Sequence, residues 1–452
     1  MIERFLNIAK EVMDLSLLHG AEQVSVSLAN ATSFQLEVRN QQIEALKEAG
    51  SSGIHVTLAK KQKRSTLSSN DFRIETLEPL IRSTLQALPL MGEDPFYTLP
   101  DPKLQGKAPI DLGFRDPDFE KNPSKQKVEE LLLLEKEALS MDPRLQTEEV
   151  SYSDSISYMV HGDSNGFLEG CCKTLYSQGA SMFAEDQNGE DEGSSQSLNS
   201  GRKQSDGWYS SSRYRKDLEA RQDLARKAGE RTLRKLGAVK PKSCEVPVIF
   251  STEMAQSFLG SLASAMMGEN VFRKHSFLKD SLGESVASPE IQLSDEPLLH
   301  GKLGSRHYDS EGVEAKPMKL IEEGKLLNFM CSTYSANKLS RQSTGHAGGI
   351  SNLMLQPGTY PEEELIASID DGLYLTGMSG QGVNLTTGDY SRGAQGLWIR
   401  NGELAEPVSE FTIASTFPEM MKGINMIGNE IDERSTILAP AFRIDLMNIS
   451  GS

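Results

Sequence analysis

Apolar and polar positions along the chain change their period several times, and each change marks an element. Over residues 2–18 the apolar side chains Ile2, Phe5, Leu6, Ala9, Val12, Met13 and Leu17 return at helical spacing, predicting an amphipathic helix. From 22 to 68 the period drops to two, in the sets Val24, Val26, Leu28, then Phe34, Leu36, Val38, then Ile54, Val56, Leu58. That alternation predicts half-buried antiparallel strands. A helix is expected over Phe72–Leu88, followed by prolines at 89, 95, 100, 102, 109, 117 and 123 that break regular structure. Ser124 then caps a helix carrying Val128, Leu131, Leu132 and Leu134, strand-like stretches follow, and a helix is predicted over Asp217–Leu236. The Ser/Gly-rich segment 193–212 reads as a loop within this second block. The two blocks share the order helix, strands, helix but no residue pattern.

After a short linker at Ala238–Ser243 the texture changes. The apolar strand Val246–Phe250 runs into Ser251–Gly268, where Met254, Phe258, Leu262 and Met266 recur every four residues along one helix face. Ser251 or Thr252 caps it, Glu253 sits at the positive end of its dipole, and Gly268 suits its C-terminal stop. Between the apolar positions lie Ala255, Gly260, Ser261, Ala263, Ser264 and Ala265, small enough for close approach of another backbone or a ligand. Beyond it, Glu323-Gly324 and Asn401-Gly402 are tight-hairpin dipeptides, and six glycines between Tyr374 and Gly396 predict close turns in a mixed sheet. The fold class is therefore α+β: two N-terminal helix–strands–helix blocks followed by a glycine-rich mixed β domain with helices. The boundaries are an N-terminal domain 1–90, a Pro-rich linker 91–123, a central domain 124–237 and a C-terminal domain 245–452.

Composition narrows the partners. A net charge of −17 over 452 residues disfavours broad contact with nucleic acid or anionic membrane, which would be repelled. Glu3, Arg4, Lys10, Glu11 and Asp14 are unlike the apolar core of a signal peptide, and no apolar run nears the roughly 20 residues that span a bilayer. The four cysteines Cys171, Cys172, Cys244 and Cys331 form no C-x-x-C pair and no disulfide framework. A soluble, unprocessed protein of the reducing cytoplasm is expected.

Chemistry-bearing patterns are few. Asp186–Gly193 has the acids of a calcium loop but carries Asp191 where the EF-hand needs glycine, so Asn188-Gly189 reads as a hairpin turn. The cations of the Asp217–Leu236 helix are interleaved with Asp217, Glu219, Asp223 and Glu230, as on a solvated face. No H-E-x-x-H pair and no G-x-S-x-G elbow occur. His307-Tyr-Asp309-Ser-Glu311 places potential ligands at alternating positions but reads better as a charged loop. His346, in Ser343–Ile350, is open to two readings: an imidazole presented to a ligand by flexible backbone, or a hydrogen-bonded structural residue.

Several long segments of the third block then align with a known family. Ser343-Thr-Gly-His-Ala-Gly-Gly-Ile-Ser-Asn352 and Gly380-Gln-Gly-Val-Asn-Leu-Thr-Thr-Gly-Asp-Tyr-Ser-Arg-Gly-Ala394 resemble the TldD/PmbA family, as do Phe277–Glu284, Ile321–Gly324 and Ile427–Glu430. The first two blocks fit through their order and through Asn165-Gly166. Within the family the chain is most similar to the PmbA (TldE) branch, described both as a modulator of DNA gyrase and as a protease subunit. The resemblance implies a cytoplasmic two-part metalloprotease that degrades or processes unfolded peptides. Its TldD-like partner carries zinc on His-Glu-x-x-x-His with a later Cys. Alignment on Gly268 and Val286-Ala-Ser288 puts the two His at Leu259 and Ser264, the Glu at Gly260, and the Cys near Arg434–Ala441, where this chain has none. The resemblance thus implies no cofactor in this chain, zinc in a TldD-like subunit, a homodimer in isolation, and no direct contact with membrane or nucleic acid. Peptide capture is expected at His346, Gly345, Gly348 and Asn352, along the strand-like Ile350–Leu355. A partner-independent peptide-binding scaffold and a gyrase modulator without a protease role are the alternatives.

Overall fold

A computed structural model describes residues 1–186 and 202–452. The N-terminal part contains α1 (Ile2–Leu18), β1 (Gln23–Arg39), β2 (Gln42–Lys60), β3 (Lys63–Ser69), α2 (Ile74–Ala87), α3 (Ser124–Leu139), β4 (Gln146–Asp163), β5 (Leu168–Glu185), β6 (Lys203–Ser212) and α4 (Arg221–Leu233). All six strands form one antiparallel sheet in the order β3-β2-β1-β4-β5-β6. The two sequence blocks therefore join edge to edge, through the β1–β4 pairing that sets Ser25 opposite Asp163 and Val38 opposite Val150. Two of the three period-two sets also belong to one strand, because Asn30–Thr32 continue β1 without a break in register. Strict alternation over β1 keeps Val24, Val26, Leu28, Phe34, Leu36 and Val38 on a single face. Helices α1 and α2 cover one end of that face and α3 and α4 the other, making two apolar cores. Lys203–Ser212, expected as loop, is an edge strand, since Gln204 and Ser210 point into the structure. The Asn188-Gly189 turn and the acids around it lie outside the described residues.

The Pro-rich stretch is strapped to both halves of the molecule. Asn165 Nδ2 donates to Pro100 O (2.8 Å), Gly106 N to Gly312 O (2.9 Å) and Thr174 N to Phe114 O (2.9 Å). Prolines remove its regular ladder while its remaining amides find partners on either side.

The C-terminal part comprises β7 (Cys244–Phe250), α5 (Thr252–Met266), α6 (Gly268–Phe272), β8 (Leu293–Asp295), β9 (Met318–Glu322), β10 (Lys325–Leu326), β11 (Leu353–Leu355), β12 (Asp371–Ser379), β13 (Asp389–Arg400), β14 (Glu403–Thr416), β15 (Ile424–Asp432) and β16 (Ile437–Ser450), with short helices between. Strand β7 pairs with both β12 and β16, so β7, β12, β13, β14 and β16 close into a ring that β8 to β11 extend. The class is α+β, with antiparallel pairs and two parallel ones, β7–β12 and β11–β16. Glu323-Gly324 and Asn401-Gly402 turn with φ of 48°, 75° and 51°, 79°, the left-handed pair a two-residue hairpin needs. Helix α5 lies across the barrel on the largest core, with Phe258 stacked 4.8 Å from Phe417 and edge-on to Phe250. Gly268 does not end this helix. Met267 stops it in extended conformation and Gly268 opens α6, where a Cβ would stand 2.7 Å from Ser335 Oγ and 2.9 Å from Cys331 Sγ.

Candidate functional site

Helix α5 carries Leu259, Gly260 and Ser264, where the resemblance implies the metal ligands of a TldD-like subunit. Leu259 is 2 % exposed and packed in the core, so its side chain points away from solvent. Gly260 faces Ile437, whose Cδ1 would lie 3.3 Å from an added Cβ. Ser264 Oγ donates back to Gly260 O at 2.9 Å. The one acid of the helix, Glu253, is taken by Arg231 Nη1 (2.8 Å) and Arg434 Nη2 (3.5 Å). Where the family places its cysteine, Arg434 pairs with Asp432 (2.6 Å) and stacks 3.5 Å over Trp208. An aliphatic side chain, a glycine, a self-bonded hydroxyl and a guanidinium do not fit zinc, which takes thiolate, imidazole or carboxylate. Among the described residues no group of three or more His, Cys, Asp or Glu is arranged to hold a metal ion.

The glycine loop that carries the capture candidates is held by its own hydrogen bonds. His346 is 2 % exposed, with Nε2 3.2 Å from Asp295 Oδ2 and Nδ1 2.8 Å from Thr344 O. Both ring nitrogens are engaged, with the Thr344 hydroxyl also 2.9 Å from Nδ1. Burial pushes the Asp295 carboxyl up, but hydrogen bonds from His346 and Ser351 outweigh it and hold the group below the usual carboxylate range. Asn352 is fully buried; it accepts from Gly304 N (2.9 Å) and donates to Glu296 O (2.7 Å). Gly345 has φ 74° and passes so close to Glu314 O that a Cβ would stand 2.4 Å from it. His346 and Asn352 thus lock the loop from within, and Gly348 lines a cleft.

The segment His307–Glu311 is likewise turned inward, against the expectation of a charged loop. His307 Nε2 lies 2.8 Å from Ile110 O, Asp309 accepts from the amides of Glu311, Val313 and Ala347, and Glu311 accepts from Thr333 N. Arg231 on the cation-rich helix α4 and Lys235 in the turn after it are also largely buried, against Asp206 at 3.3 and 2.9 Å, rather than solvated.

The cleft beside Gly348 encloses about 440 Å³ between the bare face of the N-terminal sheet and the C-terminal part. The alternation that buries Val24, Val26 and Leu28 turns Ser27 and Ala29 to the opposite face, and register aligns them with His55, Gly53, Met159 and His161. Phe114 comes from the Pro-rich stretch, and Arg306, Tyr308 and Asp309 from the C-terminal part. Two cations look into this space. Lys173 makes one hydrogen bond, 3.3 Å to Ser305 O, and sits 4.7 Å over the Phe114 ring. Burial pushes its ammonium down, and repulsion from Arg213 and Arg306 adds to this. Arg306 Nη2 donates to Gly345 O (3.1 Å) and Gly349 O (2.6 Å), and burial lowers it too. Neither cation has a carboxylate within 4.0 Å among the described residues. His161, bonded to Ser27 Oγ at 2.9 Å, is held down to about 4 by burial and stays neutral near pH 7. Sequence reading passes over these residues because a polar strand face ordinarily meets water. The one signal is that His161 follows Val160 on a strand whose other face is core.

An α+β protein that joins a six-stranded antiparallel sheet to a closed ring of strands crossed by a buried helix defines the class. Comparison with known proteins agrees. Residues 243–451 match the PmbA/TldA metallopeptidase C-terminal domain and 117–236 the central domain of the same family. Metalloprotease PmbA of Escherichia coli O157:H7 is 32 % identical over 438 residues, covering 96 % of this chain and 92 % of that protein. A candidate modulator of DNA gyrase from Bacteroides thetaiotaomicron superposes with TM-score 0.91 at 28 % identity, covering 99 % of this chain and 98 % of the other. TldE from Thermococcus kodakarensis shares the fold, with TM-score 0.84 at 19 % identity over 98 % of this chain and all of that one. The chain belongs to the PmbA/TldD metallopeptidase family.

Proposed function

We propose that this chain is the metal-free, PmbA/TldE-type subunit of a two-part metalloprotease that acts on unfolded peptides. The observation that carries the reading is α5: Leu259, Gly260 and Ser264 stand at the aligned ligand positions, and their surroundings are filled by Ile437 and by the Glu253–Arg434 pair. Without a bound ion to activate water, the single chain lacks the nucleophile the family uses. Zinc and the general base belong to a TldD-like partner. The chain forms a homodimer in isolation and a heterodimer when that partner is present, in the cytoplasm.

The test compares pure chain, pure partner and the reconstituted pair on an unfolded peptide, with elemental analysis of each. We expect no stoichiometric zinc and no cleavage above background from the single chain, and chelator-sensitive cleavage from the pair. Tightly held zinc in the single chain, or chelator-sensitive cleavage by it, overturns the reading. A second reading, modulation of DNA gyrase, is favoured by the description of the Bacteroides relative. A change in gyrase supercoiling on adding the pure chain would support it. The acidic balance of −17 favours contact with the enzyme over contact with DNA.

A further inference from the structure

We propose that the cleft between the N-terminal sheet and the C-terminal part binds a monocarboxylate carried on an apolar group, with Lys173 and Arg306 facing the carboxylate. The assignment goes beyond the subunit role and stands on the cleft alone. Its size, about 440 Å³, is that of a small-ligand site. Ala29, Met159 and Phe114 give it apolar walls, and the polar groups converge at one place.

Charge decides what enters. A buried cation is retained at a cost unless it is paired; Arg306 has Asp295 and Asp309 nearby to offset part of its charge, whereas no carboxylate acts on Lys173 among the described residues. Lys173 offers three N–H donors and uses one, on a 3.3 Å bond. The carboxylate that does line the cleft, Asp309, has its oxygens occupied by three backbone amides, so it does not serve Lys173. His161 adds no fixed charge near pH 7, and His307 has its Nε2 taken by Ile110 O. A single anionic group therefore matches the site, whereas a cation meets two like charges. Apolar walls next to the cations call for an apolar substituent beside the carboxylate. The C-terminal residue of a peptide with an aliphatic side chain has this chemistry, and so does a short free fatty acid.

The test is calorimetric titration of the full chain with N-acetyl-Leu-Leu as free acid, with its C-terminal amide, and with hexanoate. We expect the free acid to bind and the amide to bind at least about tenfold more weakly, the size of a lost charge-assisted contact. Lys173→Met should weaken the acid at least about tenfold while leaving the amide and the melting temperature unchanged or the latter higher. Hexanoate equal to the dipeptide acid assigns the site to free acids; hexanoate much weaker assigns it to peptide C-termini. Equal binding of acid and amide, unchanged affinity in Lys173→Met, or no binding of any carboxylate at millimolar concentration overturns the proposal. If Lys173→Met does not fold, Arg306→Gln titrated with the same acid and amide decides.

Discussion

His346 and His161 show how burial sets what a histidine does. His346 is enclosed with Asp295, Ser351 and Thr344, so its loss strands a buried carboxylate. His346→Ala should lower stability by about 3 kcal/mol, the usual cost of removing one partner of a buried pair. Denaturant unfolding with an unchanged m-value checks this; a loss below about 1 kcal/mol would contradict the locking role. His161 gives a pH dependence of definite sign. Its folded value of about 4 lies below the roughly 6.5 of an unfolded histidine, so between these pH values the unfolded chain binds a proton that the folded chain does not. Stability therefore falls as pH drops from about 6.5 to about 4. His161→Gln should flatten that window, and unfolding free energies measured across it are the check. The depressed carboxyls of Asp295 and Asp206 add a further loss as pH falls below about 4.

The two glycines of the α5–α6 region separate helix propensity from close packing. Gly260 lies mid-helix with only the movable Cδ1 of Ile437 near its virtual Cβ. Gly260→Ala should be neutral or stabilise by up to about 1 kcal/mol, from the lower backbone entropy of alanine. Gly268→Ala meets Ser335 and Cys331 below 3.0 Å on a buried turn and should cost about 1–3 kcal/mol. Thermal melts of the two variants check the contrast; equal shifts would mean that the α6 contact yields as easily as Ile437. Turns behave alike at this scale. Asn40-Gln41 turns with φ of 53° and 58° without glycine, because the buried Glu135 carboxylate accepts from both amides at 2.7 Å.

Across the whole molecule, Glu253 is the hinge point of charge. It receives Arg231 from α4 and Arg434 from the turn between β15 and β16, and Arg231 continues to Asp206 on β6. The N-terminal and C-terminal parts are thus tied through a largely buried network. Glu253→Gln should destabilise by about 1–3 kcal/mol and, as a double variant with Arg434→Met, by less than the sum of the two single effects. Additive losses would mean that the pair is not coupled. The parts of this design that local periodicity encodes are visible in the chain: α1, α3, α5, the alternating sets of β1 and β2, and the two glycine hairpins. They follow from residue spacing, which acts over one or two turns. That Leu259 and Gly260 carry no side-chain atom able to bind a metal is equally plain. What the spacing does not carry is which strand pairs with which, because β1 meets β4 across more than a hundred residues. That pairing merges two blocks into one sheet and turns Ser27, His161 and Lys173 toward Arg306, while the β8–β11 pairing brings Asp295 beside Ser351 and His346. Polar alternation reads the same whether the far face meets water or another part of the chain, and the long-range packing alone makes the difference.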